Sequence, residues 1–145
     1  MTLQKNNLAT IQARFPDSRL TCFGDGQVLS DRLLGLIAAG TKTATCSALR
    51  DYQACGENPP VAGEVQIVCH HDGSPAMVIG IDSVTHLAFD TVGESFALAE
   101  GEGDYAAWRE AHIDFFTRNG GFDPAMVLVC ERFHLIEDLR AADGA

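Results

Sequence analysis

The segment Glu64-Val65-Gln66-Ile67-Val68-Cys69-His70, followed by His71-Asp72-Gly73-Ser74 and then by Ala76 to Phe89, sets the fold class of this chain. Its first part alternates: Val65, Ile67 and Cys69 fall on one side of an extended chain, and Glu64, Gln66, Val68 and His70 on the other. Asp72 and Gly73 supply the side-chain acceptor and the conformational freedom of a tight turn, so the two arms are predicted to form a β-hairpin. The second arm is long enough to bend, and the polar pair Asp82-Ser83 marks the place. Antiparallel pairing is therefore the starting point.

Working outward, Leu8, Ile11 and Phe15 recur at helical spacing within Leu3 to Phe15, and Pro16 ends that helix. Phe23-Gly24-Asp25-Gly26 is turn-forming. Leu29, Leu33, Leu36 and Ile37 then make one apolar helical stripe, with Ser30 or Asp25 as its cap and Gly40 where a C′ glycine belongs. Thr43 to Leu49 reads as a short strand, and Glu57-Asn58-Pro59-Pro60 as a rigid loop inside one domain. Asp90 is expected to cap a short helix through Val92 and Phe96. Asp104 is expected to cap a second, with Trp108, Ala111, His112 and Phe115 on one face and Gly120 past its end. Met126 to Ile136 is the last strand, and residues 140–145 are expected to be a disordered tail. Strands interrupted by helices without a βαβ rhythm indicate an α+β domain with a mainly antiparallel sheet that can close on itself.

At 145 residues, 46% of them apolar and 21% charged, the chain is sized for a single core. It has no run of apolar residues long enough for a membrane span and no signal-type start, so no membrane association is expected. Five cysteines, none in a C-x-x-C pair, fit no zinc pattern and point to reduced thiols in a cytoplasmic protein. The net charge is −10, and no Lys or Arg occurs between Asp51 and Trp108, where ten carboxylates lie. Such a surface repels long nucleic acid, and DNA is not an expected partner. A nucleoside, or a short RNA met by a local basic pocket, is compatible with it.

Two segments could carry chemistry. In Gly40-Thr41-Lys42-Thr43-Ala44-Thr45 a glycine ends a helix and the chain turns before a strand begins, which lets Lys42 and Thr45 converge. A lysine beside a hydroxyl can ease the loss of the hydroxyl proton. The order of residues is not that of a P-loop, in which Gly, Lys and hydroxyl are adjacent. In Glu100-Gly101-Glu102-Gly103-Asp104 three carboxylates crowd a glycine-rich loop, an arrangement suited to proton transfer or to a hard cation. It lacks the alternating ligands of an EF-hand, and no metal site is assigned. Trp108 is close enough to this loop to wall a pocket. His112 falls on the apolar face of its helix and reads as a hydrogen-bonded core imidazole. His70 and His71 are adjacent and point apart on a strand.

Taken together, Phe23-Gly24-Asp25, the G-x-K-x-x-T segment, Gly63-Glu64, the E-G-E-G-D loop, Trp108-Arg109, His112, Phe115-Phe116 and Cys130-Glu131-Arg132-Phe133 resemble the ASCH (activating-signal-cointegrator homology) domain family. The resemblance implies a PUA-like fold, a small β-barrel with helices around it. It places one domain at residues 20–139 after an N-terminal helical extension at 1–19. The family is associated with RNA binding, and its relatives include an amidohydrolase that deacetylates acetylated cytidine and a metal-dependent ribonuclease. By motif position, the amidohydrolase's working residues fall on Lys42, Thr45 and Glu102, with Glu100 as the one-register alternative. The expected function is a small hydrolase acting on a modified nucleoside, with Thr45 attacking, Lys42 assisting and Glu102 moving the proton. Glu100, Arg50, Trp108, Arg109 and Arg132 are the expected binding residues, and no cofactor is needed. The alternative is an RNA-binding module or ribonuclease, in which Lys42, Arg50, Arg109 and Arg132, joined by Arg19 and Arg32, gather in one cleft, with a divalent metal taking part in the ribonuclease case. Lys42, Thr45 and Glu102 are expected to meet in one cleft, and Arg109 and Arg132 to pair with carboxylates.

Overall fold

The computed structural model describes residues 7–140. The predicted hairpin is present: β3 (Val65–Cys69) pairs antiparallel with β4 (Pro75–Ala88), and Asp72 closes the turn by accepting from the backbone and hydroxyl of Ser74. β4 pairs along its length with β5 (Val127–Asp138), with a register shift between Ile81 and Ser83, where the bend was expected. β2 (Ala44–Ala48) adds antiparallel to the far side of β5. A fifth strand not anticipated from the sequence, β1 (Arg19–Cys22), adds parallel to β3. It is four residues long and its pairing is non-local, so neither length nor periodicity announces it. The sheet order is β1-β3-β4-β5-β2.

The sheet curls into a half-barrel. The Gln66 amide on β3 reaches Glu131 on β5 at 3.0 Å, although β4 lies between those strands. Only strong curvature brings such side chains together across a concave face. β1 and β2 are the two edges, so the barrel is left open along one seam.

Three apolar clusters hold helices to this sheet. α1 (Leu8–Arg14) buries Ile11 against Ile67, Cys69, Val78 and Leu139. The N-terminal helix thus shares a core with the sheet. The expected helix from Leu3 has its first residues outside the described ones, as do 141–145 of the expected tail. α2 (Gln27–Ala38) packs Leu33, Leu34 and Ile37 on Met77, Ile79 and Phe133. Its N-cap is Gly26, neither Asp25 nor Ser30: Asp25 binds Arg118 and Asn119, and Ser30 is buried within the helix. Gly40 ends α2 as expected, at φ +78°, with Gly40 N–H on the Ile37 carbonyl and Thr41 N–H on the Leu36 carbonyl.

The third cluster joins α4 (Glu94–Ala99) and α5 (Tyr105–Arg118) to the other side of β2 and β5 through Phe96, Trp108, Phe116, Leu128 and Cys130. Asp104 caps α5, accepting from Ala107 N–H at 2.8 Å. Gly93, not Asp90, caps α4, because Asp90 sits in a single 3-10 turn, Phe89–Thr91. α3 (Leu49–Cys55) escaped sequence reading because none of its residues is buried, so it has no apolar stripe. Among the described residues no helix is long and apolar enough to cross a membrane.

Candidate functional site

Lys42 enters the site because α2 stops at a C′ glycine. The Lys42 N–H is still held by the Leu36 carbonyl, and the strand begins only at Ala44. The side chain is thereby turned inward and is 2% exposed. Its ammonium donates to the Ala44 carbonyl and to Glu100 Oε1, both at 2.9 Å, and lies 5.9 Å from the Phe23 ring centre. Glu100 is the C-cap residue of α4 and is 1% exposed. Its other oxygen, Oε2, accepts from Trp108 Nε1 at 2.9 Å and faces His112 Nε2 at 3.4 Å. One buried carboxylate is thus surrounded by three donors.

The electrostatics follow. Burial pushes the Glu100 carboxyl up, but the Lys42 charge and the bonds from His112 and Trp108 outweigh it and hold the group at about 2. Burial also works against the charged form of His112, yet the Glu100 carboxylate overcomes it and raises the imidazole above its usual value. The hydrogen-bond network assigns the proton positions. The Trp108 carbonyl, 2.8 Å from Nδ1, can only accept, so Nδ1 is protonated and Nε2 meets Glu100 favourably when it too carries a proton. The ring stacks on Trp108 at 4.5 Å.

The acidic loop is fixed to the lysine segment by the Thr43 N–H, which donates to the Ala99 carbonyl at 2.8 Å. Gly101 sits at φ +78°, and a Cβ there would lie 2.6 Å from the Thr41 carbonyl oxygen. Both the dihedral and the close approach require glycine. Gly101→Ala is expected to lower unfolding free energy by about 2–3 kcal/mol, the sum of a disfavoured backbone conformation and a clash with backbone that cannot swing away. Urea denaturation checks it, and an unchanged midpoint would show that the loop can re-form elsewhere.

Beside this network lies a cavity of about 420 Å³ lined by Lys42, Thr45, Cys46, Glu100, Glu102, His112 and Glu131, among others. Residues of both edge strands, Thr21 and Cys22 of β1 and Thr45 to Ala48 of β2, contribute to it. The cleft therefore occupies the seam where the curled sheet fails to close. Phe23, Tyr52, Phe115 and Phe116 supply aromatic wall. Its volume falls in the range of small-molecule pockets.

The cleft brings together Lys42, Thr45 and both loop glutamates, in different roles. Glu100 is the one that meets Lys42, while Glu102 lines the cavity. Trp108 stands behind the cleft as a hydrogen-bond donor to Glu100, fully buried. The arginines lie elsewhere. Arg50 donates to the Asn119 and Gly121 carbonyls at the end of α5. Arg109 pairs with Asp90 at 3.4 Å, as expected. Arg132 does not pair with a carboxylate: it donates to Ser95 Oγ at 3.4 Å and covers the Phe96 ring. The cations that do line the cavity are Arg32 and Arg118 with Lys42, and Arg118 is paired with Asp25 and Asp114. His112 and Glu131 are site residues that sequence reasoning did not select. The i, i+4 relation of Trp108 and His112 was the available signal for the first.

Cys46 Sγ, Glu100 and His112 offer ligand atoms within 4.8 Å of one another. Glu100 is already bound by Lys42 and Trp108, and an ammonium 2.9 Å from one of its oxygens opposes a cation there. Burial and the neighbouring Glu100 raise the Cys46 thiol, so its thiolate form is disfavoured. Glu100 with Lys42 and His112 forms an ion-pair network, and the neutral Cys46 thiol lies beside it.

A curled mixed sheet wrapped by helices, with a lysine, a hydroxyl and acids at its seam, defines a PUA-like α+β domain. The ASCH domain family model matches residues 19–137, and the chain belongs to that family. An ASCH domain from Lactobacillus crispatus JV V101 is 33% identical, with TM-score 0.74, over 86% of this chain and 84% of that one. A protein from Enterococcus faecalis V583 is 32% identical, with TM-score 0.77, over 92% and 94% of the two chains. A hypothetical protein of 13% identity and TM-score 0.54 shares the fold alone. No curated protein matches the chain.

Proposed function

We propose that this ASCH-domain protein is an amide hydrolase acting on a modified nucleoside, of which N4-acetylated cytidine is the model. The reading rests on one observation: Lys42, Thr45 and Glu102 line a single cavity of about 420 Å³, with the lysine fixed by a buried carboxylate behind it. Thr45 Oγ attacks the acyl carbon and its proton passes to the Glu102 carboxylate, which returns it to the departing amine. Water then releases the acyl group. Lys42 uses two of its three N–H groups on Ala44 and Glu100, leaving one for the developing oxyanion. Glu100, held near 2, fixes the position of Lys42. The aromatic residues provide a stacking surface for the base; Arg118 is neutralised by Asp25 and Asp114, which leaves Arg32 and Lys42 as the positive charges at the cavity. The reading needs no cofactor, and it places the protein in the cytoplasm, in keeping with five free cysteines.

The test is a screen of acylated nucleosides with and without manganese or magnesium. The expected result is metal-independent deacylation that Thr45→Ala abolishes. Turnover untouched by Thr45→Ala or Lys42→Ala would sink the mechanism. Metal-dependent strand cleavage, or RNA binding that weakens steeply with salt, would favour the ribonuclease or RNA-binding reading instead.

A further inference from the structure

The cleft contains a second buried carboxyl that the mechanism above does not use. Glu131, on β5, is 4% exposed and is the register partner of Thr45 on β2. Directly opposed residues of an antiparallel pair share one face, with Cβ atoms about 4.5–5.5 Å apart. Glu131 thus stands beside the hydroxyl assigned to attack. Ser47 and Tyr52, hydrogen-bonded to each other at 2.9 Å, line the same cavity.

The carboxyl is oriented. Oε1 accepts from the Gln66 amide at 3.0 Å, and that amide is itself buried and also donates to Glu64, which Arg19 pairs. Every sealed side-chain nitrogen or oxygen among the described residues is hydrogen-bonded. Oε2 has no partner among them, so it opens onto the cavity that Glu131 lines. A buried carboxylate without a cation is costly, and packing alone does not call for one at this position.

We propose that Glu131 is a ligand-contacting residue: in its acid form it donates a hydrogen bond through Oε2 to a carbonyl oxygen or ring nitrogen of an uncharged heterocycle held beside Thr45. The proposal rests on the nucleoside reading of the cleft. With Oε1 engaged as acceptor, the proton of the neutral acid sits on Oε2, which makes that oxygen a donor. The surroundings favour the acid. Burial is the main cause, Gln66 works against it, and the nearby carboxylates Glu64 and Glu100 outweigh Arg19, so the group is held up to about 7. The charged and titratable groups around it are Arg19 from β1, Glu64 from β3, Tyr52 from α3, Glu100 from the end of α4, and Cys130 on its own strand. Arg32 from α2 and the paired Arg118 and Asp114 from α5 line the same cavity. As a carboxylate Glu131 would repel an anion and lose its donor, so the contact it offers suits a neutral group.

Cytidine and N4-acetylcytidine binding, measured by calorimetry from pH 6 to 8.5 on the wild type, Glu131→Gln and Glu131→Leu, tests this. Wild-type affinity is expected to fall at least about tenfold over that range as the donor is lost. Glu131→Gln keeps a carbonyl for Gln66 and an N–H₂ donor for the ligand, so its binding should stay near the wild-type pH 6 value at every pH. Glu131→Leu should bind at least about tenfold more weakly at pH 6. His112 titrates in the same cleft, and a pH step that persists in Glu131→Gln would assign the change to it and overturn the proposal, as would Glu131→Leu binding like the wild type. Absence of nucleoside binding by the wild type would instead overturn the nucleoside reading itself, and this inference with it. The Glu131→Gln arm keeps the test decisive if the leucine variant fails to fold.

Discussion

Lys42→Met is expected to lower the unfolding free energy by about 3–5 kcal/mol at pH 7, the usual penalty for leaving one member of a buried ion pair without the other. The lysine is replaced by a side chain of similar length, so little cavity is made. The loss comes from Glu100, which is 1% exposed and retains only Trp108 and His112. The effect carries a pH signature. With Lys42 present the Glu100 carboxyl is depressed to about 2, so it contributes stability above its unfolded value of 4.5 and loses it as pH falls toward 2. Without Lys42 the carboxyl rises, and protonation relieves the burial. The gap between variant and wild type should therefore be largest near neutrality and shrink below about pH 4. Urea unfolding at pH 7 and pH 4 measures both points. The double change Lys42→Met with Glu100→Gln should recover much of the loss. A penalty of equal size at both pH values, without recovery in the double variant, would mean that packing around Lys42 matters and its charge does not.

Glu131→Gln is expected to act in the opposite sense on the alkaline side. The wild-type carboxyl is raised from 4.5 to about 7, so its stabilising contribution is complete below 4.5 and is lost as pH rises through 7. The full swing corresponds to about 3 kcal/mol at 1.36 kcal/mol per unit. The amide does not titrate and can still accept from Gln66. Relative to the wild type, the variant should gain stability progressively from about pH 4.5 to pH 8 and show no further gain above that. Parallel stability curves over this range would show that Glu131 ionises in the folded protein as freely as in the unfolded chain.

These two carboxyls bear on what acid–base chemistry the cleft can perform. Glu100 has the donors to stay ionised under all ordinary conditions and is suited to holding Lys42. Glu131 has one neutral donor and acidic neighbours, so it exchanges a proton near neutrality. The carboxyls of two buried acids in one cavity are thus shifted in opposite directions from their ordinary value by the partners each is given.

Much of the frame is a local property of the chain. The alternation of Val65, Ile67 and Cys69, the turn at Asp72-Gly73, the Gly40 cap and the Asp104 cap each act within a few residues, and together they define the hairpin, the Lys42 turn and α5. The motif pieces in order were enough to mark the ASCH family. What escaped sequence reading depends on contacts between distant segments. β1 is stabilised by a parallel partner more than forty residues away, and α3 has no buried face to leave a periodic trace. Glu100 and Glu102 look alike in a glycine loop. Only the α4 cap position buries the first against Lys42, 58 residues back along the chain, while the second, past Gly101, lines the cleft without that partner. Glu131 was hidden for a related reason. Cys130 and Phe133, on opposite sides of β5, belong to two different cores, so burial on both faces erases the polar–apolar alternation that would single out a buried acid. Local hydrogen bonding and side-chain periodicity are written in consecutive residues. Which carboxylate gains a cation, and which is left with a single amide, is decided by the curl of the sheet and the helices that cover it.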